Sequence, residues 1–169
     1  MNKGGGVYGS ALHLAVVRTN LLLTDMMIKK GAEVNIADAE GNTPLHFIMN
    51  VFSKSESKYR AIAECLVFSG AKPNAKNLEQ WSPVHIAARK GQIEGIRWAK
   101  GTNEILQEME LETFDFNVPG GEQKWTPLHL AGYCSHYKIV EEILSGSLEL
   151  LKKFPINVYA RNTDNKTPR

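Results

Sequence analysis

Cysteine is almost missing from this chain: Cys65 and Cys134 are the two among 169 residues, and their spacing matches no metal site. A disulfide framework is therefore not written here, and with no signal peptide the pattern points to a reducing, intracellular setting, in cytoplasm or nucleus. Long apolar runs are missing too. No window approaches 18 uncharged apolar residues, so no segment reads as a membrane-crossing helix. Charge of one sign is lacking, since the net charge is only +2, which gives no argument for nucleic acid or a membrane surface. Catalytic punctuation is equally scarce. There is no Gly-x-Ser-x-Gly turn, and the glycines at 4–6 are not followed by the Lys-Ser/Thr pair of a phosphate-binding loop. Nothing pairs a nucleophile with a base and an orienting group, so no catalytic, cofactor-binding or metal-ligating residue is expected. The rest of the composition, 43% apolar and 22% charged, is that of an ordinary folded protein.

What the chain has in abundance is one short phrase. Ser10-Ala-Leu-His13, Thr43-Pro-Leu-His46, Ser82-Pro-Val-His85 and Thr126-Pro-Leu-His129 are four versions of it, and Thr167-Pro168 begins a fifth. A hydroxyl residue caps a helix by accepting from an orphan backbone N–H. Proline suits the first helical position, where its missing N–H costs nothing, and the apolar residue that follows starts a buried face. The histidines, at positions 13, 46, 85 and 129, fall 33, 39 and 44 residues apart.

A period near 33 residues opened by this phrase resembles the ankyrin repeat, and the resemblance covers about 160 of the 169 residues. It implies an all-α solenoid of stacked helix-turn-helix units with β-hairpin-like loops. The register gives one domain over 1–169, with repeats at 10–42, 43–81, 82–125 and 126–166 and the start of a fifth at 167–169, read as a piece of a longer protein. In repeat one the helices are expected at about 11–18 and 21–30, with Leu22, Leu23, Met26, Met27 and Ile28 burying one face of the second. Gly31 supplies a left-handed cap, and Gly41 sits in a turn where a positive φ is expected. Cys65, in the run Cys65-Leu-Val-Phe68, reads as a small core residue. Trp98, among Ile93 and Ile96, reads as core as well.

Repeats two to four are longer than the first by six, eleven and eight residues. In repeat two the surplus is a polar loop around 52–58, whose Ser53, Ser55 and Ser57 offer a kinase exposed hydroxyls. In repeat three, residues 103–112 have helical spacing of Ile105, Leu106 and Met109, either continuing the second helix beyond Gly101 or packing beside it. This segment carries Glu104, Glu108, Glu110 and Glu112 without a basic residue, as a solvated face or a surface for a basic partner. Repeat four adds residues 147–153 at the matching place, which suggests that the two insertions pack together. The last residues, with half their neighbours missing, should be the least stable part of the array.

The four motif histidines are read as architectural. Spaced one layer apart, about 10 Å, they cannot share a metal, and in ankyrin repeats this histidine bonds backbone and the threonine hydroxyl. His136 falls where the family often places a histidine ahead of the second helix. Function is expected on the concave face instead, built from hairpin tips and the exposed side of each first helix. The residues just before the four phrases are Asn42, Trp81, Trp125 and Lys166, so two tryptophans fall at equivalent tip positions. Tryptophan is enriched among interface hot spots. The resemblance therefore points to a partner-binding set of Trp81, Trp125, Glu79, Gln80, Lys124, Asn42, Arg89, Lys90 and Tyr133, the competing reading being that both rings fold against a neighbouring hairpin. The partner expected is another protein, not nucleic acid or membrane, and the chain itself a monomer. The alternative function is a regulatory module of a larger enzyme or membrane protein, such as a palmitoyltransferase, kinase or ion channel.

Overall fold

The computed structural model describes residues 9–52, 57–145, 161, 163–164 and 166–167. Among them are eight α-helices: α1 (Ala11–Val17), α2 (Leu21–Lys29), α3 (Pro44–Val51), α4 (Ser57–Phe68), α5 (Pro83–Lys90), α6 (Ile93–Glu108), α7 (Pro127–Tyr133) and α8 (Tyr137–Leu144). They pair as α1/α2, α3/α4, α5/α6 and α7/α8. The odd-numbered helices pack one on the next in an inner row, while α2 lies on α4 and α6 on α8 in an outer row. This is the stacked solenoid implied by the repeat, all-α, with no strand among the described residues. Its hairpin tips are closed by single backbone bonds (Asp38 N–H to Asn42 O, 2.9 Å; Asn77 N–H to Trp81 O, 3.0 Å) and by a reciprocal pair between Gly120 and Trp125, 2.8 Å each way.

The inner helices begin where the phrase says they should. Ser10, Thr43, Ser82 and Thr126 are the caps, all extended at ψ between 165° and 170°. Three inner helices carry proline in the first turn. The faces they bury are short and apolar: Leu12, Ala15 and Val16; Leu45, Ile48 and Met49; Val84, Ala87 and Ala88; Leu128, Leu130 and Ala131. Alanines in three of these faces (Ala15, Ala87 with Ala88, and Ala131) let the helices approach closely, and each layer is stabilised by the next rather than by its own propensity.

Between the second and third pairs the core is aromatic. Trp98 stacks on Phe52 with ring centroids 5.6 Å apart and meets Phe114 edge-on at 5.3 Å, while Tyr59 lies 6.4 Å beyond Phe52. Gly95 makes room for this cluster: a Cβ there would stand 3.2 Å from Phe52 Cβ. Trp98 is core, as its neighbours in sequence suggest. Its indole Nε1 is buried without a hydrogen-bond partner.

Of the two alternatives for the added segment of repeat three, the folded chain takes the first: α6 runs through Gly101 to Glu108, so the segment continues the helix. Nothing lies within 4 Å of a Cβ built at Gly101, so the position faces open space. Asn103, on the added turns, is buried and holds the returning chain at both backbone groups of Phe114, donating from Nδ2 to its carbonyl (2.9 Å) and accepting its N–H at Oδ1 (2.8 Å). Asn103 thereby anchors the insertion. In α2 the expected buried face is largely exposed: Leu22, Leu23 and Met26 face solvent, Met27 and Ile28 are half-buried, and Thr24 is the buried residue. The apolar stripe is there, but only Met27 and Ile28 of it pack against the core, while Leu22 borders a groove against α4. Cys65 is half-buried rather than core, its thiol pushed up by partial burial. Ser53 and Ser55 of the polar loop, the insertion at 147–153 and most of the C-terminal stretch lie outside the described residues, while Ser57 opens α4.

Candidate partner-binding site

The concave face is assembled by the histidines. The backbone N–H of each cap residue donates to Nδ1 of the histidine three positions on, at 3.1 Å for Ser10, Thr43 and Thr126 and 3.2 Å for Ser82. Accepting at Nδ1 places the ring proton on Nε2. That atom then donates across to the carbonyl just before the next phrase: His13 to Asn42 (2.9 Å), His46 to Trp81 (3.0 Å), His85 to Trp125 (2.9 Å) and His129 to Lys166 (3.0 Å). Each histidine thus ties its own helix start to the tip that follows. The four rings are buried, and burial lowers the pKa of His13 and His46 and takes that of His85 down to about 4. His136 has a related task one turn away, its Nε2 donating to Arg89 O at 3.1 Å, as Gln92 does to Asn50 O at 2.9 Å. Among the described residues no three His, Cys, Asp or Glu side chains are grouped to hold a metal.

The tips themselves are laced together. Asn77 is buried, accepts the Trp81 N–H at Oδ1 (2.9 Å) and donates to Asn42 Oδ1 (2.9 Å), while Leu78 N–H reaches Glu40 O at 2.9 Å. Gly41 has the expected positive φ, +80°, and a second need for glycine: a Cβ would stand 2.8 Å from Leu78 N. In the following tips the same place is taken by Gln80 (φ +64°) and Lys124 (φ +54°). A side chain in that region costs on the order of 1–2 kcal/mol. Both strained residues immediately precede the tryptophans.

Two grooves run between the tips and the inner helices. The first, about 520 Å³, has Asn42, Leu78 and Glu79 on the tip side and Phe47, Arg89 and Lys90 on the helix side. The second, about 890 Å³, has Trp81 and Trp125 on the tip side and Arg89 and Tyr133 on the helix side. Glu79 and Arg89 border both, joined by an exposed ion pair of 3.5 Å, the kind of contact that adds little stability. Of the nine residues singled out from sequence, these grooves gather seven; Gln80 and Lys124 are exposed at the tips and line neither.

The tryptophans are half-buried. The Trp81 ring lies over Gly120 and Gly121, where a Cβ on either glycine would fall within 2.8 Å of ring carbons, and beside His85 with centroids 5.3 Å apart. Trp125 packs against Tyr133 at 4.8 Å, and its Nε1 is buried without a partner. Each indole thus braces the array with one face and borders the groove with the rest. The open apolar surface comes from Tyr133, 75% exposed, and from Leu78, 74% exposed. Leu78 escaped the sequence reading. Its signal was an apolar residue inside the polar turn Asn77-Leu-Glu-Gln80.

Stacked helix pairs with an extended concave face define a helical solenoid repeat protein. A family profile for ankyrin repeats, in three copies, matches residues 48–153, and the chain belongs to the ankyrin repeat family. A putative ankyrin repeat protein of Rickettsia felis is 34% identical over 96 residues, 54% of this chain and 40% of its own length. Human Rabankyrin-5 is 34% identical over 88 residues, 48% of this chain and 8% of its own. The transient receptor potential cation channel subfamily A member 1 of Drosophila melanogaster is 27% identical over 117 residues, 69% of this chain and 9% of its own. The chain therefore spans less than half the length of each of these relatives. Ankyrin repeats are in general non-catalytic modules for protein–protein interaction. Among the described residues no helix is long and apolar enough to cross a membrane.

Proposed function

We propose that this chain is a protein-binding module that holds a partner protein across the two concave grooves, with Tyr133 as the open apolar contact of the second and Leu78 that of the first, and with Trp81 and Trp125 as the rigid aromatic floor of the second. The observation that carries this reading is the convergence of two indoles, a tyrosine and the Glu79–Arg89 pair on one 890 Å³ groove. Aromatic and arginine side chains at the centre of a concavity are the composition of interface hot spots. Asn42 and Lys90 extend the surface along the first groove, and Gln80 and Lys124 form its charged and polar rim. The two free thiols, Cys65 and Cys134, suit action inside the cell.

The test uses the exposed residues, because the indoles also brace the scaffold. Tyr133→Ala with Leu78→Ala should remove at least about tenfold in affinity for a partner recovered with the wild-type chain, with helicity unchanged by circular dichroism. Undiminished binding would move the site off this face. A second reading, a regulatory module within a larger protein, is favoured by the channel relative, of whose length the match is 9%. The reading frame on either side of this sequence tests it.

A further inference from the structure

The side chains at the C-terminal ends of the inner helices differ from pair to pair. Val17–Arg18, Asn50–Val51, Arg89–Lys90 and Tyr133–Cys134 hold equivalent places, seven and eight residues after the caps Ser10, Thr43, Ser82 and Thr126. Only Arg89–Lys90 sets two cations side by side, so they belong to this surface and not to the repeat. Both line the first groove, opposite the acidic tip residues Glu40 and Glu79. The two walls are not equally committed. Glu40 accepts from Asn42 Nδ2 at 3.2 Å. Glu79 meets Arg89 at 3.5 Å, with the two side chains 66% and 49% exposed. Lys90 is exposed and has no hydrogen bond or ion pair among the described residues. The uncommitted charge of the groove is therefore positive.

The Glu79–Arg89 ion pair lies on the border of both grooves, reaching from tip to inner helix. A contact this exposed contributes at most about 1 kcal/mol, so a better partner for Arg89 displaces Glu79 at little cost. A carboxylate is such a partner, because a guanidinium binds it through two parallel N–H bonds, and Lys90 adds a second cation beside it. Beyond Arg89, the second groove offers Tyr133, 75% exposed, and the indoles of Trp81 and Trp125, a surface suited to an apolar side chain. We propose that the partner reaches this face with an extended acidic segment, whose Asp or Glu opens the Glu79–Arg89 pair and whose apolar side chain enters the second groove. The spacing follows from the array. Arg89 and Tyr133 stand on successive inner helices, about 10 Å apart, which an extended chain at about 3.3 Å per residue covers in about three residues. This chemistry rests on the protein-binding role proposed above and makes Glu79 a resident competitor for Arg89.

The probe is a phage-displayed library of random linear peptides, long enough to span both grooves, selected in low salt on the 169-residue chain. Enriched peptides should carry Asp or Glu about three residues from an aliphatic or aromatic residue. For a synthetic copy of an enriched peptide, Glu79→Gln should tighten binding about two- to fivefold. Arg89→Glu with Lys90→Glu should weaken it at least about tenfold, with helicity unchanged in both variants. Weaker or unaltered binding by Glu79→Gln, or an acidic peptide indifferent to the charge reversal, overturns the proposal. A neutral or basic pool that is lost with Tyr133→Ala and Leu78→Ala overturns it too, while leaving the concave protein-binding role standing. A pool indifferent to Tyr133→Ala and Leu78→Ala removes both. No enrichment at all excludes a linear segment and overturns this proposal alone.

Discussion

The first and third helix pairs open with the same phrase and share the same inner-helix geometry, yet their outer helices live in different surroundings. α2, nine residues long, is rich in leucine and methionine and buries Thr24. α6, sixteen residues long, holds glycine, lysine and glutamate and still buries Gly95, Ile96, Trp98, Ala99, Thr102, Asn103 and Leu106. Composition alone ranks the two in the wrong order. The third pair has a described neighbour on each side and a loop folded back on its added turns. The first has a described neighbour on one side. Burial in a solenoid is a property of the stack and not of the helix.

The comparison breaks most visibly at its matched tryptophan and methionine. Trp98→Ala empties a space between Phe52 and Phe114 and should cost about 3–5 kcal/mol. Met26→Ala at the equivalent place in α2 should cost less than about 1 kcal/mol. Urea unfolding of both variants checks the difference, and equal losses would mean that α2 is covered in solution by the chain itself.

Acid should act on the buried members of the histidine series. His85, in the third pair, has its folded pKa held by burial at about 4, below the ordinary 6.5. Between those values the unfolded chain binds a proton that the folded chain refuses. The stabilising contribution is therefore complete above pH 6.5 and lost as the pH falls towards 4, by roughly 3 kcal/mol at full extent. Burial lowers the pKa of His13, in the first pair, in the same direction. Denaturation midpoints measured from pH 7.5 to 4.5 should drop steadily, and His85→Gln should flatten part of that slope. An unchanged slope in this variant would assign the acid sensitivity to other groups.

The smallest effect concerns the continuation of α6. Gly101 lies in the helix with open space at its Cβ position, so Gly101→Ala should raise stability by about 0.5–1 kcal/mol. Destabilisation by this change would place an unseen contact at the convex surface.

Much of this was legible in advance, for a local reason. Capping, the first-turn proline and the motif histidine act within four residues, so the helix starts at 11, 44, 83 and 127 and the histidine's bonding within its own turn follow from the phrase. Gly41 at positive φ follows similarly. The register also placed Trp81, Trp125 and Tyr133 on one face, and the grooves gather them. What stayed out of reach depends on partners beyond the local turn, 11 to 40 positions away along the chain. Trp81 rests on Gly120 and Gly121, Asn103 is buried under a returning loop, and Leu78 stands open because its own turn is held by Asn42 and Glu40.

The amino-acid sequence by itself determined the family, the repeat phrase, the inner-helix starts and the chemistry of the histidines, because each depends on contacts within a turn. Only the tertiary structure decided which apolar residues are covered. It showed that α6 continues past Gly101, that the indoles are half floor and half brace, and that Leu14, Leu23 and Met26 are exposed among the described residues. The reason is physical: hydrogen bonds at a helix start are satisfied locally, whereas burial is decided by whichever layer lies alongside.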